Sequence, residues 1–153
     1  MEYERLAFDA ALRALDKQEA LLDELRSRTG ALLAASALAA SFLGGEAFKD
    51  PSPVPAAVAL IAFVTSIGAS VFILVPRRDG FTFSLSGPGL YEALYALRDD
   101  LAEVYRRLSY DLLGFWESND SRLQPLFRAY RLGATGLVVE ILALVGLVSG
   151  SIF

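Results

Sequence analysis

The sequence contains no cysteine and no histidine. Their absence excludes thiolate nucleophiles, disulfide bonds, imidazole acid–base catalysis and nearly all zinc, copper and haem sites. The sequence also lacks a phosphate-binding G-x-x-x-x-G-K-[ST] loop, a G-x-G-x-x-G dinucleotide motif and a cluster of metal ligands. We therefore expect a protein that is not an enzyme and that has neither a metal nor another cofactor.

Positive charge is scarce as well. The 153 residues include 14 Lys and Arg against 18 Asp and Glu, and the net charge of −4 argues against binding to nucleic acid. Hydrophobic residues make up 54% of the chain, whereas about 45–50% is typical of soluble domains. The excess lies in three stretches, 30–45, 54–75 and 132–153, and this segregation is typical of a membrane protein.

These stretches predict three transmembrane helices. Residues 54–75 carry no charge, and at about 1.5 Å per residue they can cross a hydrocarbon core of roughly 30 Å. The stretch 29–45 is short, but a tight turn at 46–54 with Pro51 and Pro53 pairs it with the second span as a helical hairpin. The third stretch is apolar except for Glu140 and reaches the last residue of the sequence.

Arginine pairs predict the direction of each span. They flank the three stretches at Arg26 and Arg28, at Arg77 and Arg78, and at Arg128 and Arg131. By the positive-inside rule, these flanks are cytoplasmic and Phe153 lies on the far side of the inner membrane. The predicted order is a cytoplasmic amphipathic helix at 1–28, a transmembrane hairpin at 29–75, a cytoplasmic helical segment at 76–131 and a third span at 132–153.

The two cytoplasmic segments show helical periodicity. In the first, Phe8, Leu15 and Leu22 recur every seven residues, which predicts an amphipathic helix that continues into the first span. In the second, alternating residues at 81–86 indicate either a short strand, which pairing between subunits could complete, or an extended linker. Pro88 then suits the first turn of a helix.

A long helix follows, with a heptad seam on one face. We expect this helix to end near 117–119 and Asn119 or Asp120 to cap a separate last helix. The seam packs either on the N-terminal helix and on residues 123–130, or on other copies in an oligomeric bundle. Its candidate contact residues are Leu90, Leu94, Leu97, Leu101, Val104 and Leu108, and the pattern continues at Leu112 and Phe115.

Glu140 is the one charged residue within the third predicted span, and a carboxylate there is a candidate functional group. Three roles stay open: a protonated carboxyl that bonds a neighbouring helix, a ring of Glu140 side chains that lines a cation-attracting pore, or a proton or substrate relay. Small residues at four-residue spacing, such as Ala62-Ser66-Ser70 and Gly146-Gly150, indicate close helix packing. The rise per residue places these polar residues at a similar depth: Ser36, Ser41, Thr65, Ser66 and Ser70.

Two stretches carry a resemblance to a known group of proteins. Residues 21–33, LLDELRSRTGALL, lead into the first span, and residues 122–132 lead into the last. With them, the order of parts over most of the chain resembles the small bacterial membrane families grouped as SLATT-type proteins and the transmembrane Pycsar effectors. The resemblance implies a conflict-system effector that oligomerises and permeabilises or disrupts the membrane after a nucleotide signal.

From the residues and this resemblance together, we expect a homo-oligomer in the inner membrane that forms a pore or perturbs the bilayer. Its cytoplasmic helices would respond to a small-molecule or protein signal. The alternative is a non-conducting scaffold or accessory subunit that binds a partner protein through those helices.

Overall fold

The computed structural model describes residues 2–47, 53–75, 80–85, 87–96 and 100–150. These residues form the helices α1 (Glu2–Ala47), α2 (Pro53–Leu74), α3 (Gly87–Ala96) and α4 (Leu101–Gly150). The predicted all-α fold is confirmed for this part of the chain. The chain divides into a first unit, Met1–Asp23 with Arg77–Gln124, and a second unit, Glu24–Pro76 with Pro125–Phe153.

Two predicted elements are confirmed closely. The amphipathic N-terminal segment continues into the following apolar stretch as the single helix α1. The second predicted span, 54–75, coincides with α2, which begins at Pro53, where a missing N–H costs no helical bond. Its last turn extends to Val75, whose N–H donates to the carbonyl of Val71 over 2.9 Å. The predicted turn residue Pro51 lies outside the described residues.

The helical boundaries between 87 and 131 were predicted wrongly. The long seam is divided between α3, which ends at Ala96, and α4, which begins at Leu101. Asp100 caps α4, since its Oδ1 accepts a hydrogen bond from the N–H of Glu103 over 3.1 Å. No break follows near 117–119 either, because α4 continues through Pro125 to Gly150. The predicted helix start at Asn119 or Asp120 is therefore wrong, because both residues lie inside α4.

A strand at 81–86 is also wrong for the residues that the structure describes there, 81–85, which have no strand pairing. In the first unit, the backbone of Thr82 is bonded by the side chain of Asn119 instead. The Thr82 N–H donates to Asn119 Oδ1 over 3.2 Å, and Asn119 Nδ2 donates to the Thr82 carbonyl over 2.8 Å. One amide side chain thus satisfies the groups that a neighbouring strand would bond.

The core of the first unit lies between α1 and α4. Leu15 and Leu22 of α1 and Leu112 of α4 are buried, as the heptad spacing of both segments predicts. The Phe8 and Tyr105 rings lie 5.5 Å apart, and Gln18 Nε2 donates to the Trp116 carbonyl over 3.1 Å. These contacts show that the two helices run in the same direction within this unit.

Two helices in the described residues are long and apolar enough to cross a membrane: α2 over Pro53–Leu74 and α4 over Leu101–Ser149. The stretch 29–45 of α1, predicted as the first span, is not one of them within the described residues. Alanine, serine and glycine make up much of that stretch and are less apolar than the leucine, isoleucine and valine of the other two.

Candidate functional site in the second unit

In the second unit, the later part of α1, all of α2 and the later part of α4 pack around small and polar residues. Glycines of α4 set the closest approach to α2. A methyl group on Gly136 would lie 3.0 Å from the carbonyl oxygen of Ala62 and 3.3 Å from the backbone nitrogen of Ser66. A methyl group on Gly133 would lie 3.1 Å from the Cβ of Ala69. Only glycine permits this backbone separation without displacing α2.

Glu140 lies one helical turn beyond Gly136 and faces into this unit. Its side chain is 1% exposed, and its Oε2 accepts a hydrogen bond from the Ser36 hydroxyl over 2.6 Å. Ser36 is itself fully buried. A residue pair separated by more than a hundred positions therefore joins α1 to α4 in the middle of both apolar stretches.

The predicted polar layer is only partly assembled. Ser66 and Ser70 of α2 are buried, and the Ser70 hydroxyl donates to the Ser66 carbonyl over 2.8 Å. Ser41 and Thr65 are not hydrogen-bonded to Glu140. Each hydroxyl donates to the carbonyl four residues earlier in its own helix over 2.8 Å, and the Ser41 hydroxyl is exposed. The structure therefore brings Ser36 to Glu140, buries Ser66 and Ser70 in the same unit, and leaves Ser41 and Thr65 outside the contact.

Two buried oxygen atoms of the layer have no hydrogen-bond partner in the part of the chain that the structure describes. They are Oε1 of Glu140 and Oγ of Ser66. Ser66 and Glu140 are both packed at Gly136, since the Cβ of Ser66 lies 3.5 Å from a methyl group placed on that glycine and Glu140 follows it by one turn. A buried polar group without a partner is costly, so these two oxygen atoms are the unsatisfied groups of the layer within the described residues.

Gly133 and Gly136 were not among the predicted packing residues. Gly133, Gly136 and Glu140 are spaced by three and four residues, which places them on one face of α4. This spacing was visible before the structure. Gly146, one of the small residues predicted to pack closely, does not show such packing, since a methyl group there would meet no described atom within 4 Å.

The predicted oligomer contacts divide into two groups. Val104 and Leu108 are 3% and 5% exposed inside the first unit, which leaves no surface of these two for another copy. Leu94 and Leu101 are exposed and Leu90 is half-buried, so a contact between subunits stays a prediction for these residues. Leu97 lies outside the described residues.

The first unit also has an open groove of about 380 Å³. It is lined by two exposed tyrosines, Tyr3 and Tyr110, and by Arg106, whose guanidinium is paired with Glu103. That carboxylate raises the pKa of Arg106 above its ordinary value. The remaining lining residues are Glu4, Ala7, Ser109 and Leu113.

No family model, no curated protein and no solved structure matches this chain.

Proposed function

We propose that this chain is a multi-pass protein of the inner membrane that self-associates and then forms a pore or perturbs the bilayer. Its membrane part is the second unit, in which the later parts of α1 and α4 and the whole of α2 each cross once. The N-terminus and the first unit are cytoplasmic in this proposal, because the arginine pairs at 26 and 28, 77 and 78, and 128 and 131 all flank that side.

The observation that carries the proposal is the distribution of apolar side chains in the second unit. Large apolar residues point outward: Phe42 is 76% exposed, Ile61 67% and Leu142 66%. Small and polar residues such as Ser66 and Glu140 are buried instead. In water this arrangement would expose a large apolar surface, whereas in lipid it places apolar side chains against the acyl chains.

The extent of burial supports the same conclusion. The most apolar part of α2 is 33% buried within the chain, and that of α4 is 28% buried. A core helix of a soluble protein of this hydropathy would be mostly covered by its own fold. Lipid, or lipid together with further copies, accounts for the uncovered surface of both helices.

Self-association is supported by small residues that no described atom approaches. A methyl group on Gly68 of α2, or on Gly146 of α4, would meet no described atom within 4 Å. Such positions allow the backbone of a second copy to come close. The exposed Leu94 and Leu101 of the first unit offer a further apolar contact between copies.

Glu140 contributes to a pore only after the helices rearrange. It is bonded to Ser36 inside one chain, so it does not line a channel between subunits in the conformation described. A rotation of α4 that breaks this bond would turn the carboxylate toward a lumen. This is the form of activity that suits a signal-gated effector, with a small molecule or a protein acting on the first unit, as the resemblance of the layout implies.

The test combines the mass of the detergent-solubilised protein with ion flux through vesicles that contain it. We expect an oligomer and a flux, and we expect Glu140→Leu to lower the flux. Leu142→Val is the matched control, because Leu142 lies two residues away on the exposed surface of α4. A monomer that conducts no ions would contradict the proposal. An unchanged flux in Glu140→Leu would show that Glu140 has no role in the pore.

The second candidate function is a non-conducting scaffold or accessory subunit. The groove between Tyr3 and Tyr110 favours it, since aromatic residues at a concave surface are common in protein interfaces. A protein that is monomeric in detergent, that copurifies with a partner and that loses this partner in Tyr110→Ala would support this alternative over a pore.

A further inference from the structure

The hydroxyl of Ser66 behaves differently from those of neighbouring helical residues. Thr29, Thr65 and Ser70 each donate to the carbonyl four residues earlier, over 2.7 to 2.8 Å. This bond satisfies a hydroxyl within its own helix. Ser66 Oγ makes no such bond and has no partner among the described residues, although the residue is fully buried. It is therefore available to a group on another helix.

Among the described residues, no cationic side chain is bonded to Glu140. The parts of α1 and α2 that pack in this unit contain no charged residue at 29–45 or at 53–75, so they offer Glu140 no titratable acid or base. Along α4 the preceding charged residue is Arg131, about 14 Å away at the helical rise. An ionised carboxylate in this position would be buried and unpaired, which strongly disfavours the charged form.

We propose that Ser36, Ser66 and Glu140 form a proton-binding site. Glu140 holds one proton on Oε1, and its Oε2 accepts the hydrogen bond from Ser36. Oε1 and Ser66 Oγ each have no partner among the described residues. In the proposed site, one water molecule accepts from the Oε1–H group and donates to Ser66 Oγ. Three side chains are too few oxygen ligands to replace the hydration shell of a metal cation, for which about six are usual.

This site deepens the proposed function and rests on it, because it links the charge of Glu140 to the packing of the unit. With the proton bound, the layer is neutral and its hydrogen bonds join α1, α2 and α4. When the proton leaves, the carboxylate draws in water or a cation, and the helices must separate to admit it. Proton release and hydration of the membrane unit are therefore coupled.

The experiment is infrared spectroscopy of the full chain in lipid vesicles at neutral pH. A protonated carboxyl has a carbonyl stretching band that an ionised one lacks. We expect one such band, its loss in Glu140→Gln and its displacement in Glu140→Asp, which keeps an acid at this position. Ser66→Ala is expected to move the band to higher frequency, because the hydrogen bond from Oε1 is weakened. Glu103→Gln, an exposed glutamate paired with Arg106, is the matched control and leaves the band in place.

Three results would overturn the proton site. They are the absence of the band at neutral pH, its persistence unchanged in both Glu140 variants, and its loss when sodium replaces choline in the buffer, which would indicate a cation site instead. Flotation of the same vesicles tests membrane insertion separately. A chain that floats without the band contradicts only the proton site. A chain that does not float contradicts the proposed function, and the band is then measured on the soluble protein, where the same results apply.

Discussion

At the scale of single residues, Asn119 shows how a polar side chain substitutes for secondary structure. It is 1% exposed in the middle of α4, and both ends of its amide bond the backbone of Thr82. Arg122, one turn later, adds a hydrogen bond from Nη1 to the Gly80 carbonyl over 2.6 Å. The segment 80–85 is thus attached to α4 within the first unit by side chains that lie a helical turn apart.

We expect Asn119→Ala to detach this segment. Both hydrogen bonds to the exposed Thr82 are lost, and each bond of this kind contributes about 0.5–1.5 kcal/mol. Hydrogen exchange at the Thr82 amide is the measurement, and it should become faster while exchange in α2 does not change. Ser118→Ala, at the exposed neighbouring position, is the control. Equal protection of Thr82 in wild type and Asn119→Ala would show that other contacts hold the segment.

At the scale of elements, caps and close contacts decide where helices begin and how they pack. Asp100 starts α4 through its bond to the N–H of Glu103, and the carbonyl of Asp100 accepts from the N–H of Val104 over 3.1 Å. In the second unit, Gly133 and Gly136 allow α4 to approach the backbone of α2. Neither feature depends on the hydrophobic pattern from which helices are usually predicted.

Removing the cap should weaken the start of α4. Asp100→Ala takes away the acceptor for a first-turn N–H and is expected to cost about 1 kcal/mol. The effect should be local, so faster hydrogen exchange at Glu103 and Val104 is the readout. Asp111→Ala, within the same helix and exposed, removes an equal charge without removing a cap. If both variants exchanged alike at Glu103, the capping role of Asp100 would be refuted.

Enlarging the glycine at the α2 contact should destabilise the second unit. Gly136→Ala places a methyl group 3.0 Å from the Ala62 carbonyl, and overpacking of this kind typically costs about 1–3 kcal/mol. Gly114→Ala is the matched control in the same helix, where the methyl group meets no described atom and the gain in helix propensity is about 1 kcal/mol. Thermal unfolding in detergent should therefore shift in opposite directions for the two variants. Equal shifts would contradict the close contact.

At the scale of the whole molecule, the proposed topology places the two ends of α4 in different compartments. The helix begins beside Asp100 and continues to Gly150, past the charged segment that ends at Arg131. If its later part crosses a bilayer, the exposed residues at its start and at Ser149 face opposite sides. Under the proposed topology, the second unit would contribute three crossings and the first unit would stay in the cytoplasm.

The absence of cysteine makes this topology directly measurable. Asp100→Cys and Ser149→Cys each introduce one thiol, and a membrane-impermeant maleimide added to intact cells should label only the Ser149 variant. Permeabilised cells, in which both variants should react, serve as the control. Labelling of both variants or of neither in intact cells would refute the proposed crossing.

Some features of this protein follow from its sequence alone. The bounds of α2, the continuity of α1 and the buried Leu15, Leu22 and Leu112 were predicted, because periodicity and charge-free runs are local properties of a helix. The sequence also predicts a similar depth for Ser36 and Glu140, and their side chains are hydrogen-bonded in the structure. Depth depends only on the rise per residue, which every helix shares.

The tertiary structure decided the rest. A seam that predicts one helix is divided between Ala96 and Leu101. The two helices expected to meet near 117–120 are one helix, because caps and packing outweigh propensity at such points. Ser41 is close to Ser36 in depth but lies about 140° around α1, and Thr65 lies about 100° around α2 from Ser66. Which side of each helix faces its neighbours is set by residues on the other helices, such as Gly136, and no single segment of the sequence contains that information.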